Sequence, residues 1–483
     1  MKTFIWFIAL YLLVGCTSNR TQSFDQQIKV EMKSGNFSRA SKIIDSLILN
    51  HEMTDKTKRD LLFTKDSLGR VSLDFNRSRE DIINWIVNNH QFTPTDEQLN
   101  EWEEKKVLEY RIIDGEKRYF RNAAPNIFRV DSDASKLIKI GVKSAESGAK
   151  NILNSHLKEL IPTDVEWRYL LPKVKTQVKY TLTVPKEEIV EGELIKAWLP
   201  YPRQDIGRQT DVTFVSASQP QYVISEDKTE HTSIYMEQIA KKDEPVVFSV
   251  EFSFTSQGEW FDLSKIILQQ YDTNSELYRK YTSEKRPHIQ FSERIKNLTD
   301  SITYGNKNAL EDLQSIYKYI TTNYPWASAI EYSTIPNIPE YVIEYNKGDC
   351  GQVALLLITM LRHKGIPARW QSGWMMHPGE VNLHDWAEAY FEGVGWIPVD
   401  VSFGRGEPLE NEQGRGFFMS GIDSYRFYVN SDYSGDFFPE KVYPRSETVD
   451  FQRGEVETES ENFYFNRWRY RMEVITQNTI NPN

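Results

Sequence analysis

The sequence predicts a multidomain α+β chain: a mainly helical N-terminal domain, then a β-sandwich domain, then a mixed α+β core. Three observations carry this reading. Apolar residues recur at helical spacing through the first third of the chain, as at Ile43, Ile44 and Leu47. From Thr176 to Val184 the pattern changes to strict alternation, and similar runs continue to Phe254. Beyond them an almost uninterrupted apolar stretch, Val353 to Leu361, is followed by two strand-like segments that end at Asp400.

Taken in order, residues 1–15 have the form of an export signal, with Lys2 ahead of an apolar run from Phe4 to Leu13 that is too short to span a bilayer. The following Leu13-Val14-Gly15-Cys16 resembles a bacterial lipobox. That resemblance implies cleavage before Cys16, lipid on that residue, and anchoring in the bacterial envelope. The expected location is the outer membrane, facing the periplasm or the exterior. Residues 16–24 are polar and read as a tether. Residues 25–165 are expected to form the mainly helical domain. Thr95 caps one of its helices, and Asp114-Gly115 turns a hairpin between Tyr110–Ile113 and Glu116–Phe120. An all-β, sandwich-like domain is expected over 172–258 and the α+β core over 263–405. A C-terminal extension, 406–483, should pack on that core, with strands at Arg426–Asn430 and Asn462–Phe465.

The formal net charge of −11 across 483 residues argues against a nucleic-acid partner, which would need clustered Lys and Arg. The sequence has no HExxH, CxxC or glycine-rich phosphate loop, so no metal or nucleotide cofactor is expected. It has two cysteines. With Cys16 acylated, Cys350 is the free thiol of the mature chain, and its context decides whether it is inert or reactive.

That context is informative. Gly348-Asp349-Cys350-Gly351-Gln352 opens a helix with Asp349 as N-cap and Gln352 completing a capping-box pattern. Cys350 thereby occupies the first helical position, where the helix dipole and unsatisfied backbone N–H groups favour a thiolate. Those N–H groups also suit an oxyanion. Further on, His384-Asp385-Trp386-Ala387-Glu388 reads as a strand, and Gly395 to Asp400 as its hairpin partner. A three-residue loop with Gly393 left-handed pairs Tyr390 with Val394 and sets His384 directly opposite Asp400. His377 reads as an exposed loop residue and His363 as a cation at a helix C-terminus. Trp370, Trp374, Trp386 and Trp396 read as packing residues.

These three blocks, together with Gly365-Ile366-Pro367-Ala368-Arg369, resemble the transglutaminase-like superfamily over about Asn308 to Phe403. The resemblance implies a papain-like α+β core in which Cys350 is the nucleophile, His384 the general base and acid, and Asp400 the group that orients His384. It also implies an aromatic or amide side chain at the oxyanion, for which no block supplies the equivalent. The expected reaction is acyl transfer or hydrolysis of a peptide, protein or cell-wall amide. The rival reading is a non-catalytic envelope-binding protein that uses the same fold as a scaffold. For the anchor, the expected outcome is that Cys16→Ala moves the protein from the membrane fraction to the soluble fraction; unchanged membrane retention would rule the lipobox out.

Overall fold

A computed structural model describes residues 24–139, 166–226, 228–405 and 416–480. The export signal and Cys16 lie outside these residues, as does all of the tether except Phe24. The chain divides into two compact units, Met1–Gly141 and Val142–Asn483.

The first unit is helical, with a single hairpin among its described residues. In the Phe37–Asn50 helix, Phe37, Ala40, Ile44 and Leu47 fall on one face and are buried. Thr95 caps the Asp96–Glu104 helix in a reciprocal capping box with Gln98, as its sequence suggests. Strands β1 (Tyr110–Ile113) and β2 (Glu116–Tyr119) pair across Asp114-Gly115. Both turn residues have positive φ, at 49° and 86°, which is the demand a tight hairpin places on that dipeptide.

Among its described residues the second unit holds three antiparallel sheets. Strands β3 (Arg168–Val184), β4 (Leu194–Pro200), β5 (Gln209–Ala217), β6 (Tyr222–Ile224), β7 (Ser233–Ile239) and β8 (Val246–Phe261) occupy the β region. Strands β9 (Ala368–His377), β10 (Glu380–Phe391) and β11 (Gly395–Val399) follow the central helix. The C-terminal part adds β12 (Gly421–Ile422), β13 (Arg426–Asn430), β14 (Glu455–Glu457) and β15 (Arg469–Ile480). One sheet runs β12-β8-β3-β15, with β5 also on β8; another runs β14-β4-β7-β6; the third runs β11-β10-β9-β13.

The C-terminal segment therefore does more than pack on the core. Its β13 joins the third sheet, while β14 and β15 join the two sheets of the β region. Asn462–Phe465 forms no extended strand: Asn462 makes an isolated bridge to Glu457, and a 3-10 turn begins at Phe465. The hydrophobic cores merge as well. Val178, Leu182 and Phe252 of the β region share one buried cluster with Trp374 of β9 and Phe427 of β13.

The Cys350–His363 helix is the centre of the α+β part. Every residue from Gly351 to Arg362 is buried, as its nearly uniform apolar character requires. Its C-terminus is released by Gly365 at φ 72°. Close approach of β13 to β9 depends on Gly373, since a Cβ there would lie 1.8 Å from the Phe427 carbonyl oxygen. Gly373→Ala is accordingly expected to force β9 and β13 apart and to cost about 1–3 kcal/mol. Gly207→Ala, where a Cβ meets nothing within 4 Å, should change stability by no more than about 0.5 kcal/mol. Urea unfolding of the two variants against the parent checks both.

Candidate active site

The start of the central helix is built as its sequence suggests. Asp349 Oδ1 accepts from the Gln352 backbone N–H at 3.1 Å, and Gln352 Oε1 accepts from the Asp349 N–H at 3.2 Å. The Tyr332 hydroxyl adds a third bond by donating to Asp349 Oδ1 at 2.7 Å. Cys350 is the first residue of the helix and lines a cavity of 210 Å³. Gly351 beside it is obligatory, because a Cβ would come within 2.4 Å of the Tyr332 hydroxyl and 2.6 Å of Asp385 Oδ2.

His384 and Asp400 meet, although their strands pair two residues away from the expected register. Tyr390 pairs with Trp396 rather than Val394, because the three-residue loop is Glu392-Gly393-Val394. A shift of two preserves the side-chain face, so Asp400 lies diagonal to His384 instead of directly opposite. The contact survives: His384 Nε2 and Asp400 Oδ2 are 2.7 Å apart, with both residues fully buried. Asp400 Oδ1 accepts from the backbone N–H groups of Ser402 and Phe403 at 3.1 and 2.9 Å. Burial works to raise the Asp400 carboxyl, but His384, Arg426 and these bonds outweigh it and hold it below the usual carboxylate range. An ionised carboxylate only accepts, so Nε2 of His384 carries the hydrogen.

Behind this pair lies a buried chain of charges that sequence reading missed. Arg426 Nη2 lies 3.4 Å from Asp400 Oδ2 and 2.6 Å from Asp423 Oδ2, and Asp423 Oδ1 lies 3.0 Å from His377 Nε2. His377 is not an exposed loop residue. It ends β9, is fully buried, and burial lowers its basicity. Pro378-Gly379 does mark a turn, but the turn begins one residue after the histidine. Glu388 is buried too, bonded to Arg369 Nε at 2.6 Å and paired with Arg208, so it ties β10 to residues of the β region. Of the tryptophans read as packing residues, Trp370, Trp374 and Trp386 are buried.

Cys350 Sγ lies 3.4 Å from Asp385 Oδ2, the carboxyl of the residue next to His384 in β10. Gln452 Nε2 donates to Asp385 Oδ1 at 2.7 Å and to the His384 carbonyl at 2.9 Å. Burial, followed by Asp450 and Asp349, pushes the Asp385 carboxyl well above its usual range. Cys350 donates to this oxygen, and a carboxyl kept neutral there opposes a thiolate far less than an ionised one would. Glu331, Glu447, Asp450 and Arg453 also line the cavity. Among the described residues no three His, Cys, Asp or Glu side chains are arranged to hold a metal ion.

Residues 296–401 match the Transglutaminase-like superfamily. They form a transglutaminase-like core. The uncharacterized protein YebA of Bacillus subtilis is 25% identical over 137 residues, a match covering 24% of this chain and 18% of that protein. The chain thus spans about a fifth of that relative's length. Among solved structures, a candidate cysteine protease from Cytophaga hutchinsonii aligns with a TM-score of 0.43 and 14% identity, covering 65% of this chain and 95% of that one. The periplasmic domain of TgpA from Pseudomonas aeruginosa aligns with a TM-score of 0.25 and 12% identity, covering 52% of this chain and 99% of that one. Within the transglutaminase-like core, the helix that begins at Cys350 and the strands that bring in His384 and Asp400 were legible in the sequence. The C-terminal residues that wall the cavity carry no local motif.

Asp450 has the clearest pH signature of these. Burial comes first, then the balance of Arg453 and Arg445 against Asp349 and Glu331, with Asp385 and Glu447 also close in the cluster; its carboxyl rises from 3.8 to about 7. The folded chain then keeps a proton that the unfolded chain releases, so stability falls as pH rises from about 4 through about 7. Asp450→Asn should flatten that fall, which for one proton is at most about 1.4 kcal/mol per pH unit. Melting temperatures of parent and variant between about pH 5 and 8 test this; parallel curves would refute it.

Proposed function

We propose that this chain is a thiol-dependent enzyme acting on peptide-type amides, with Cys350 as nucleophile, His384 as general base and acid, and Asp400 as the group that orients His384. The observation that carries the reading is the buried His384–Asp400 bond of 2.7 Å, set on strands of the same core whose central helix presents Cys350 to a cavity. With Nε2 of His384 committed to Asp400, proton exchange with the thiol falls to Nδ1.

In the proposed reaction the Cys350 thiolate attacks the amide carbonyl, and backbone N–H groups at the helix start meet the oxyanion. The imidazolium of His384 gives its proton to the leaving nitrogen as the C–N bond breaks, leaving a thioester on Cys350. Water or a second amine then attacks that thioester, gives its proton back to His384 and releases the thiolate. Water makes the enzyme a peptidase or amidase; an amine makes it an acyltransferase. Asp385, as a neutral acid beside the sulfur, opposes the thiolate far less than an ionised one would and does not compete for the role of base.

The site of action belongs to the same reading: an envelope protein held by lipid on Cys16 and directed at peptide, protein or cell-wall amides. No described helix is long and apolar enough to cross a membrane.

Iodoacetamide labelling of Cys350 against pH is the direct test. The parent should label well below about pH 8, near the ordinary thiol pKa, and His384→Ala should push labelling upward. Cys350→Ala should lower amide turnover by roughly a thousand-fold or more. Labelling that rises only above about pH 8 in both proteins would reject an activated thiolate.

A further inference from the structure

The cavity beside Cys350 is crowded with acid. Glu331, Asp349, Asp385, Glu447 and Asp450 line it, against Arg453 as the basic residue of the described lining. The partners of these groups separate them. Arg453 forms a forked pair with Glu331 at 2.7 and 3.2 Å and reaches Glu447 at 3.3 Å, so its charge is already shared between two carboxylates. Asp349 is bonded to Tyr332 and its own helix, and Asp385 to Gln452 and Cys350.

Asp450 differs. Only 6% of it is exposed, it lines the cavity, and among the described residues its carboxylate oxygens take no hydrogen bond or ion pair; Arg445 reaches its backbone oxygen instead. The residue is otherwise buried, and its carboxyl oxygens are not among the sealed, unpaired polar atoms of the described residues, so they open into the cavity, where a partner from outside can reach them. The remaining lining sets what that partner looks like. Ile330, Leu383, Met375 and Trp326 supply apolar and aromatic wall, suited to an alkyl stem and to a cation over a ring face. The volume of 210 Å³ is below the roughly 300 Å³ where pockets for drug-sized ligands begin, so it admits a side-chain-sized group. Metal is disfavoured by the arrangement of the acids among the described residues.

The geometry points to an ammonium subsite: Asp450 receives a primary ammonium carried on a short alkyl stem of the substrate, next to the amide that Cys350 attacks. This deepens the thiol-enzyme reading and rests on it for the position of the amide. It makes the substrate class a cationic peptide amide, whose ammonium is either a free α-amino group or a lysine-type side chain.

Binding without turnover separates this idea from the thiol chemistry. The full chain carrying Cys350→Ala is titrated calorimetrically with three probes. N-acetyl-lysine methylamide bears a side-chain ammonium, norleucine methylamide an α-ammonium, and N-acetyl-norleucine methylamide neither. One ammonium probe should bind about ten-fold or more tightly than the neutral probe, identifying the source of the charge, and Asp450→Asn in the same background should bring the two within about two-fold. Equal binding of all three probes to the Cys350→Ala protein overturns the subsite whatever the variant does, and so does a preference that survives Asp450→Asn. Because the readout needs no thiol, a chain that shows the preference yet fails the alkylation test keeps the subsite and loses the acyl-transfer reading.

Discussion

The buried carboxylate of Asp400 is the constraint on which the site depends. Stripping a carboxylate of water costs several kcal/mol unless charge and hydrogen bonds replace the solvent. Here His384, Arg426 and two backbone N–H groups do so, and satisfying them fixes the end of β11, the ring plane of His384 and the position of β13 together. Phe403 closes the remaining side by packing edge-on against the His384 ring at 4.7 Å. Asp400 and Asp423 face one guanidinium, Arg426, while burial keeps His377 neutral.

On the Cys350 side the same kind of group is treated in the opposite way. Asp400 is surrounded by donors and stays ionised, whereas burial, and after it the neighbouring acids, pushes Asp385 and Asp450 towards the neutral form. Carboxylates whose environments pull their pKa values apart in this manner mark a division of labour. Here one is held ionised against His384, and the others are held towards the neutral form around the cavity that Cys350 lines.

How much of this the sequence disclosed follows from the range of each interaction. The Asp349–Gln352 capping box spans three residues, so its letters and its geometry coincide. The meeting of His384 and Asp400 was legible by parity alone. The loop moved by one residue and the register by two, and the faces stayed matched because strand side chains alternate with period two. Asp423 and Arg426 pair with each other at i, i+3, but they and Gln452 were opaque because the groups that place them in the site, His377, Asp400 and Asp385, lie tens of residues away, and no local pattern distinguishes an Arg that will be buried against Asp400 from one left in water. The long β3 and β8 strands misled in a related way. Their alternation signals a half-buried sheet but says nothing about β14 and β15 arriving from beyond the core to join that region.

That late arrival has a consequence for the life of the chain. Glu447, Asp450, Gln452 and Arg453 follow Cys350 by about a hundred residues, and the strands flanking them in sequence, β13, β14 and β15, are anchored on β9, β4 and β3. During synthesis the Cys350–His363 helix can form long before the cavity beside it has a second wall, since contacts of such sequence separation close last. The growing polypeptide thus carries Cys350 without the cavity beside it, which is complete only when the returning strands zip onto sheets already laid down. Topology here acts as a timer, setting the closure of that cavity after the folding of the helix that opens onto it.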